Sequence, residues 1–268
     1  HSLDRRQRQM CIRDSFASDY FEQLFEWAKY LIDEGLAYVD SQSSEEIAYQ
    51  KGTPTSPGKN SPYRERSIGE SKNIFHEMAN GKHPEGTHVL RAKIDMESSN
   101  MLLRDPVIYR VLNKPHHRTG NKWCVYPMYD WTHGQSDYLE QITHSLCTLE
   151  FKPHRDLYQW FLKSLPIEKR LPEQTEFARL NLSYTVTSKR KLKQLIDLKL
   201  VSSWDDPRMP TISGLRRRGY TPEALKNFVN IAGIAKRENI IEASLLEFCA
   251  RDHLLSLIHI SEPTRPID

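Results

Sequence analysis

Residues 179–195 read RLNLSYTVTSKRKLKQL, and this run sets Ser188, Lys189, Arg190 and Lys191 side by side after an apolar-alternating segment. A hydroxyl and three cations at the end of a strand make an anion holder. Lysine, a compact point charge, can follow the negative charge that builds on a leaving pyrophosphate, while the serine and the backbone donate hydrogen bonds. Taken by itself, the same run also describes a solvated basic helix start. A second basic stretch, YQKGTPTSPGKNSPYRERS, sets Lys59, Asn60, Arg64 and Arg66 around Tyr63 in a loop dense in Gly, Pro and Ser. That mixture suits a surface that tracks phosphates and stacks or wedges against a base. Sulfur and imidazole offer less. Cys249 and His253 stand one helical turn apart in CARDH, two ligands without partners, so no metal site is expected.

The Ser-Lys-Arg run needs a scaffold, and the pattern along the chain suggests one. In SDYFEQLFEWAKYLIDEGLAYVD, Phe21, Leu24, Phe25, Ala28, Leu31 and Ile32 share one helical face, with cap candidates Ser18 and Asp19 before it and Gly35 after it. LAYVD then reads as a short strand. A helix near 67–80 and the alternating HVLRAKIDM and VIYRVL make an α+β insertion. From KWCVYPMYD onward, short strands alternate with helices such as HRDLYQWFLKSL, which predicts a parallel α/β sheet. Ligands of such sheets sit beyond the carboxyl ends of the strands, where a Ser-Lys-Arg loop would meet nucleotide phosphates. After Val201 the pattern turns helical, through TISGLRRRGY, TPEALKNFVNIAG and NIIEASLLEFCARDHL.

The two ends read differently. QMCIRDS near the start and LSLIHIS near the finish can be encoded by reverse-complementary DNA, an inverted repeat resembling a transposon end used to tag sequencing libraries. Residues 1–15 and 255–268 are therefore expected to be translated adaptor, and the chain a fragment. The remaining roughly 240 residues can hold more than one domain. A formal net charge of +3, with 38% hydrophobic and 10% aromatic residues, describes an ordinary globular protein and does not by itself indicate nucleic-acid binding. Cys124, Cys147 and Cys249 are widely spaced with no CxxC pair, which excludes a disulfide framework and fits a reducing cytoplasm. No apolar stretch reaches membrane-spanning length.

Several long motifs in order carry a family resemblance. YPMYDWTHGQSDYLEQITHSLCTLEF, EFARLNLSYTVTSKRKL and WDDPRMPTISGLRRRGY resemble the glutaminyl-tRNA synthetase family of class I aminoacyl-tRNA synthetases, and PGKNSPYRERS and HHRTGNKWC resemble its acceptor-end-binding insertion. The likeness spans residues 18–253. It implies the second half of a Rossmann-type nucleotide-binding fold, with the end of the first half at 16–39, the insertion at 40–122, the second half with the SKR loop at 123–200 and a helical stem-contact subdomain at 201–254. VTSKR stands for the second class signature, with Thr187 where Met is more usual.

The implied reaction has two steps. The glutamine carboxylate attacks the α-phosphate of ATP, with Mg2+ accompanying the nucleotide, and the terminal 2′-hydroxyl of tRNA(Gln) then attacks the acyl group. Lys189, with Ser188 and Arg190, would serve the triphosphate. Arg179 would meet phosphate or ribose and Leu180 adenine, although a leucine in an alternating strand also reads as core. Tyr129 would meet glutamine through its hydroxyl, and Gln174 through water. Cys147 occupies the place where glutamate-specific relatives carry arginine, so its neutrality argues for glutamine, by packing as well as by excluding charge. Lys59, Asn60, Arg64 and Arg66 would contact tRNA. Arg216, Arg217 and Arg218 form another basic run, of which one arginine should pair with Asp205 or Asp206. Pro153 replaces an acidic residue that reads an acceptor base pair in some relatives, and Gln141 stands where many have Gly. No HIGH motif occurs, so the fragment is expected to be inactive alone. The readings kept beside this one are a non-catalytic RNA-binding relative and a glutamate-specific synthetase. No obligate protein partner is inferred.

Overall fold

The computed structural model describes residues 15–168 and 170–261, with side chains to residue 258. It divides into two compact units, residues 1–175 and 176–268.

The first unit is built on a four-stranded sheet. Helix α1 (Phe21–Asp33) buries Phe21, Leu24, Trp27, Ala28, Leu31 and Ile32, while Phe25 stacks on Phe75 at 4.8 Å. Gly35 (φ +70°) ends it in a left-handed turn that a β-carbon disfavours. Strand β1 (Ala37–Asp40) follows, then α2 (Ser44–Gln50) and α3 (Ile68–Ala79), each opened by a serine, Ser43 and Ser67, that accepts a backbone N–H. Strands β2 (Val89–Ala92), β3 (Val107–Val111) and β4 (Val125–Pro127) complete the sheet in the order β1-β2-β3-β4. All three pairings are antiparallel. Its core joins α1 and α3 to Leu90, Ile108, Tyr109 and Val125, and to Trp131, Leu157 and Phe161 of the two following helices.

The antiparallel β3–β4 pairing corrects the expected parallel sheet at its first strand, β4. A parallel neighbour needs a crossover, usually a helix, and residues 112–124 contain none. After β4 come α4 (Tyr129–Leu139), β5 (His144–Thr148), α5 (His154–Lys163) and β6 (Glu173–Phe177), with β5 paired to β6. Helix α4 ends in a left-handed residue, Gln141 (φ +60°), whose N–H bonds the Tyr138 carbonyl while that of Ile142 bonds Asp137. The family resemblance led one to expect glycine here, and the left-handed backbone supplies a physical reason.

The second unit is mostly helical. A two-residue strand β7 (Asn181–Leu182) pairs in parallel with β8 (Ile240–Ile241). Helix α6 (Lys189–Asp197) packs Leu192 against Val201 and Met209. Helices α7 (Ile212–Arg217), α8 (Pro222–Ala232) and α9 (Ala243–Ser261) follow, with Phe228, Leu246 and Cys249 forming a separate small core. Of the adaptor-like ends, residues 1–14 and 262–268 lie outside the described residues. Helix α9 runs unbroken through 255–261, leaving Leu255, Leu257 and Ile258 exposed. No described helix is long and apolar enough to cross a membrane.

Candidate functional site

In the first unit a cluster forms along α4. Tyr129 is its first residue, and the i, i+4 spacing puts His133 on the same face, its ring 5.3 Å from that of Tyr129 with 28° between the planes. One turn on, Asp137 accepts from the Tyr158 hydroxyl at 2.9 Å and lies 3.3 Å from His133 Nε2. The same imidazole nitrogen is 3.0 Å from Ser145 Oγ on β5. Burial and then the nearby Asp130, Cys147 and Asp137 push the Tyr129 phenol above its ordinary value, so it stays protonated and donates. Phe151, in the turn after β5, lies 5.8 Å from the Tyr129 ring. Its carbonyl accepts from Gln174 Nε2 at 3.0 Å, and that glutamine is only 2% exposed. Cys147 is half-buried on β5, with Sγ 3.9 Å from the Thr175 carbonyl.

Tyr129 and Gln174 thus both meet Phe151, and Cys147 lies close enough to Tyr129 to raise its phenol. His133, Asp137, Ser145, Tyr158 and Phe151 went unflagged in the sequence. The spacing of Tyr129, His133 and Asp137 at i, i+4 and i+8 was the signal that could have found three members of the face.

Lys59 and Asn60 are exposed on the long loop. Arg64 and Arg66, expected to contact tRNA, hold partners within the protein. Arg64 Nε donates to the buried Asp105 carboxylate at 2.7 Å, and Asp105 also accepts from the Tyr38 hydroxyl and the Ile94 backbone. Arg66 donates to the Val39 carbonyl at 2.7 Å, pairs with Glu70 and covers the Tyr63 ring at 4.5 Å. A guanidinium committed to buried acceptors holds the loop in place rather than offering charge to solvent. Beside them, Arg91 pairs with Asp40 at 2.7 Å, both side chains fully buried. Arg104 gathers the carbonyls of Lys51, Thr53 and Ser56.

In the second unit, Arg179 and Leu180 lie between β6 and β7, and Leu180 is 47% exposed, so it is not core. Strand β7 ends well before Ser188, which is the N-cap of α6 but makes no side-chain cap hydrogen bond. Lys189, Arg190 and Lys191 are exposed in the first turn of that helix, which holds no acid. Cations repel the positive end of a helix, and the free N–H groups there favour an anion. The preceding loop, with the fully exposed Tyr184 in a left-handed turn (φ +54°), and residues 238–240 line a groove of about 1040 Å³. Arg217 pairs with Asp205 at 3.0 Å, as the arginine run led one to expect. His253 is hydrogen-bonded at 2.9 Å to Thr221, which caps α8. Among the described residues no group of three or more His, Cys, Asp or Glu gathers as a metal cage.

Glutamine–tRNA ligases from Bradyrhizobium diazoefficiens and Pseudomonas aeruginosa are 57% and 56% identical over 239 residues, 89% of this chain. That from Actinobacillus succinogenes is 59% identical over the same share. The chain spans 43% of the length of each of these relatives. In fold it is similar to a glutamate tRNA ligase from Elizabethkingia meningosepticum, with a TM-score of 0.57 at 17% identity over 93% of this chain and 58% of that one. Residues 11–256 match the family described as tRNA synthetases class I (E and Q), catalytic domain. With a mixed α/β architecture and a match over most of its length, the chain belongs to the class I tRNA synthetase catalytic domains of the glutamate and glutamine group.

Proposed function

We propose that the chain is the part of a glutamine–tRNA ligase that binds the glutamine side chain and the ATP phosphates, and that its substrates are glutamine, ATP and tRNA(Gln). The observation that carries this reading is that Tyr129 and Gln174 both contact Phe151, with the neutral thiol of Cys147 on the strand close to the Tyr129 phenol. An amide must be met by both a donor and an acceptor, and a neutral thiol offers a competing carboxylate no counter-charge. The protonated Tyr129 phenol is the donor. Gln174 fixes the Phe151 turn that forms the opposite wall and reaches the substrate through water.

In the first step a glutamine carboxylate oxygen bonds to the α-phosphorus of ATP and pyrophosphate leaves. Lys189, Arg190, Ser188 and the open N–H groups of α6 hold the charge that develops on the leaving group. Arg179 meets phosphate or ribose, and Leu180 packs on adenine. In the second step the tRNA 2′-hydroxyl attacks the acyl carbon, loses its proton, and AMP departs with the bonding electrons. Magnesium arrives on the triphosphate and shields its charge; no step is assigned to it. Lys59 and Asn60 track the acceptor end within an insertion at 40–122. Residues 123–200 belong to the second half of a Rossmann-type nucleotide fold, and 201–254 form a stem-contact subdomain. The well-separated free cysteines suit a cytoplasmic enzyme.

The test is a chimera in which residues 16–254 replace the matching segment of the Pseudomonas aeruginosa relative. It is expected to charge tRNA(Gln) with glutamine in an ATP-dependent reaction and to reject glutamate. A folded chimera that charges glutamate, or nothing, would refute the reading.

A further inference from the structure

Helix α5 opens on a residue poorly suited to its place. His154 is its first residue, at the positive end of the helix dipole, where a carboxylate would be favoured and a histidine gains nothing. Its Nδ1 instead reaches across to Asp130 Oδ1 at 2.6 Å. A carboxylate only accepts, so Nδ1 carries the hydrogen. Asp130 sits in the first turn of α4, next to Tyr129. The His154 ring also lies 5.1 Å from the Phe151 ring. One imidazole therefore touches both walls of the cluster, Phe151 through a tilted ring contact and Tyr129 through the neighbouring carboxylate.

The turn that carries these groups is fastened from the other side as well. Asn100 Nδ2 donates to the Pro153 carbonyl at 2.8 Å, and Asn100 Oδ1 accepts from Leu102 N at 3.1 Å. Packing of α4 on α5 does not depend on the histidine. Trp131 meets Phe161 edge-on at 5.1 Å, and the Tyr158 hydroxyl already binds Asp137. The His154 and Asp130 side chains are 28% and 30% exposed, and a pair so open to water adds little to stability. Its short, fixed geometry must serve something local.

We propose that His154 is a positioning residue for the amino-acid pocket, clasping Asp130 so that the Tyr129 phenol and the Phe151 turn hold the spacing a glutamine side chain needs. This rests on the glutamine-pocket reading of Tyr129, Cys147 and Gln174. Without the clasp the two walls part, and glutamine affinity falls while the phosphate-holding groups of α6 are untouched.

The experiment uses the chimera described above, with His154→Ala, His154→Gln, Asp130→Ala and the double alanine variant. Loss of one charge-assisted hydrogen bond is expected to raise KM for glutamine about tenfold. KM for ATP and for tRNA, and the melting temperature, should stay at the parent values. Glutamine at 154 keeps a donor and should restore much of the affinity. The double variant should be no worse than either single one, because both remove the same contact. An unchanged KM for glutamine, additive single effects, or a loss of melting temperature that accounts for the defect would overturn the proposal. A parent chimera that folds but does not use glutamine overturns the pocket reading itself, and the inference with it.

Discussion

Replacing Cys147 with arginine tests the amino-acid choice directly. The thiol is half-buried on β5, 3.9 Å from the Thr175 carbonyl, and a guanidinium there would reach further into the Tyr129 cluster. Glutamate would gain a charge-assisted pairing worth about 1.5–3 kcal/mol. Glutamine would lose about 1–3 kcal/mol, because its amide N–H groups would face further donors. The protonated Tyr129 phenol donates to either substrate and changes neither side of the comparison. The ratio of catalytic efficiencies, glutamate over glutamine, should therefore rise by about 2.5–6 kcal/mol, or about two to four decades. Full conversion is not expected, since Gln174 still shapes the pocket. Half-burial leaves the new cation some water, so the melting temperature should fall modestly rather than collapse. The assay measures kcat/KM for both amino acids in the chimera and its Cys147→Arg variant, with melting recorded alongside. Equal losses toward both amino acids would show that Cys147 only packs.

Four other outcomes are expected. Lys189→Ala should slow glutamine-dependent exchange of pyrophosphate into ATP by about two to three decades, the roughly 2–4 kcal/mol of one contact made mainly in the transition state, with glutamine affinity unchanged. Gln141→Gly should stabilise the chain by about 1 kcal/mol by relieving the left-handed backbone (φ +60°) after α4, read as a higher urea midpoint. In filter-binding and melting measurements, Lys59→Ala should weaken tRNA binding at constant stability. Arg64→Ala should lower the melting temperature, because it strips a partner from the buried Asp105.

Local structure was legible where one periodicity dominated. The apolar face of α1, the Thr221-Pro222 start of α8 and the strand pattern of HVLRAKIDM all announce their elements. The pairing of strands was not legible, since alternation of strands and helices says nothing of whether β4 returns beside β3. The site divided along the same line. Tyr129, Cys147 and Gln174 were singled out by the family resemblance, but the residues around them look ordinary in sequence, such as His133, Phe151 and His154. The partners of Arg64 and Arg66 were hidden for a physical reason. Arginine in a Pro/Gly-rich loop reads the same whether it faces phosphate or a buried carboxylate, and only the distant partners Asp105 and Val39 decide.

Arg104 ties the first part of the long loop to a residue about fifty positions further along the chain. Local hydrogen bonds join Thr53 to Ser56, but Arg104 alone gathers all three carbonyls, and Gly52 there (φ +74°) would meet the Pro57 carbonyl at 2.6 Å if it carried a β-carbon. The full form of the loop therefore waits on the β2–β3 hairpin delivering the guanidinium, a late event that closes a large ring of chain. In reverse, it should open before the sheet does. Early amide exchange and the first proteolytic nicks are expected around Lys51–Lys59 while the strands stay protected, which gives the surface proposed to meet RNA its own, lower threshold of unfolding.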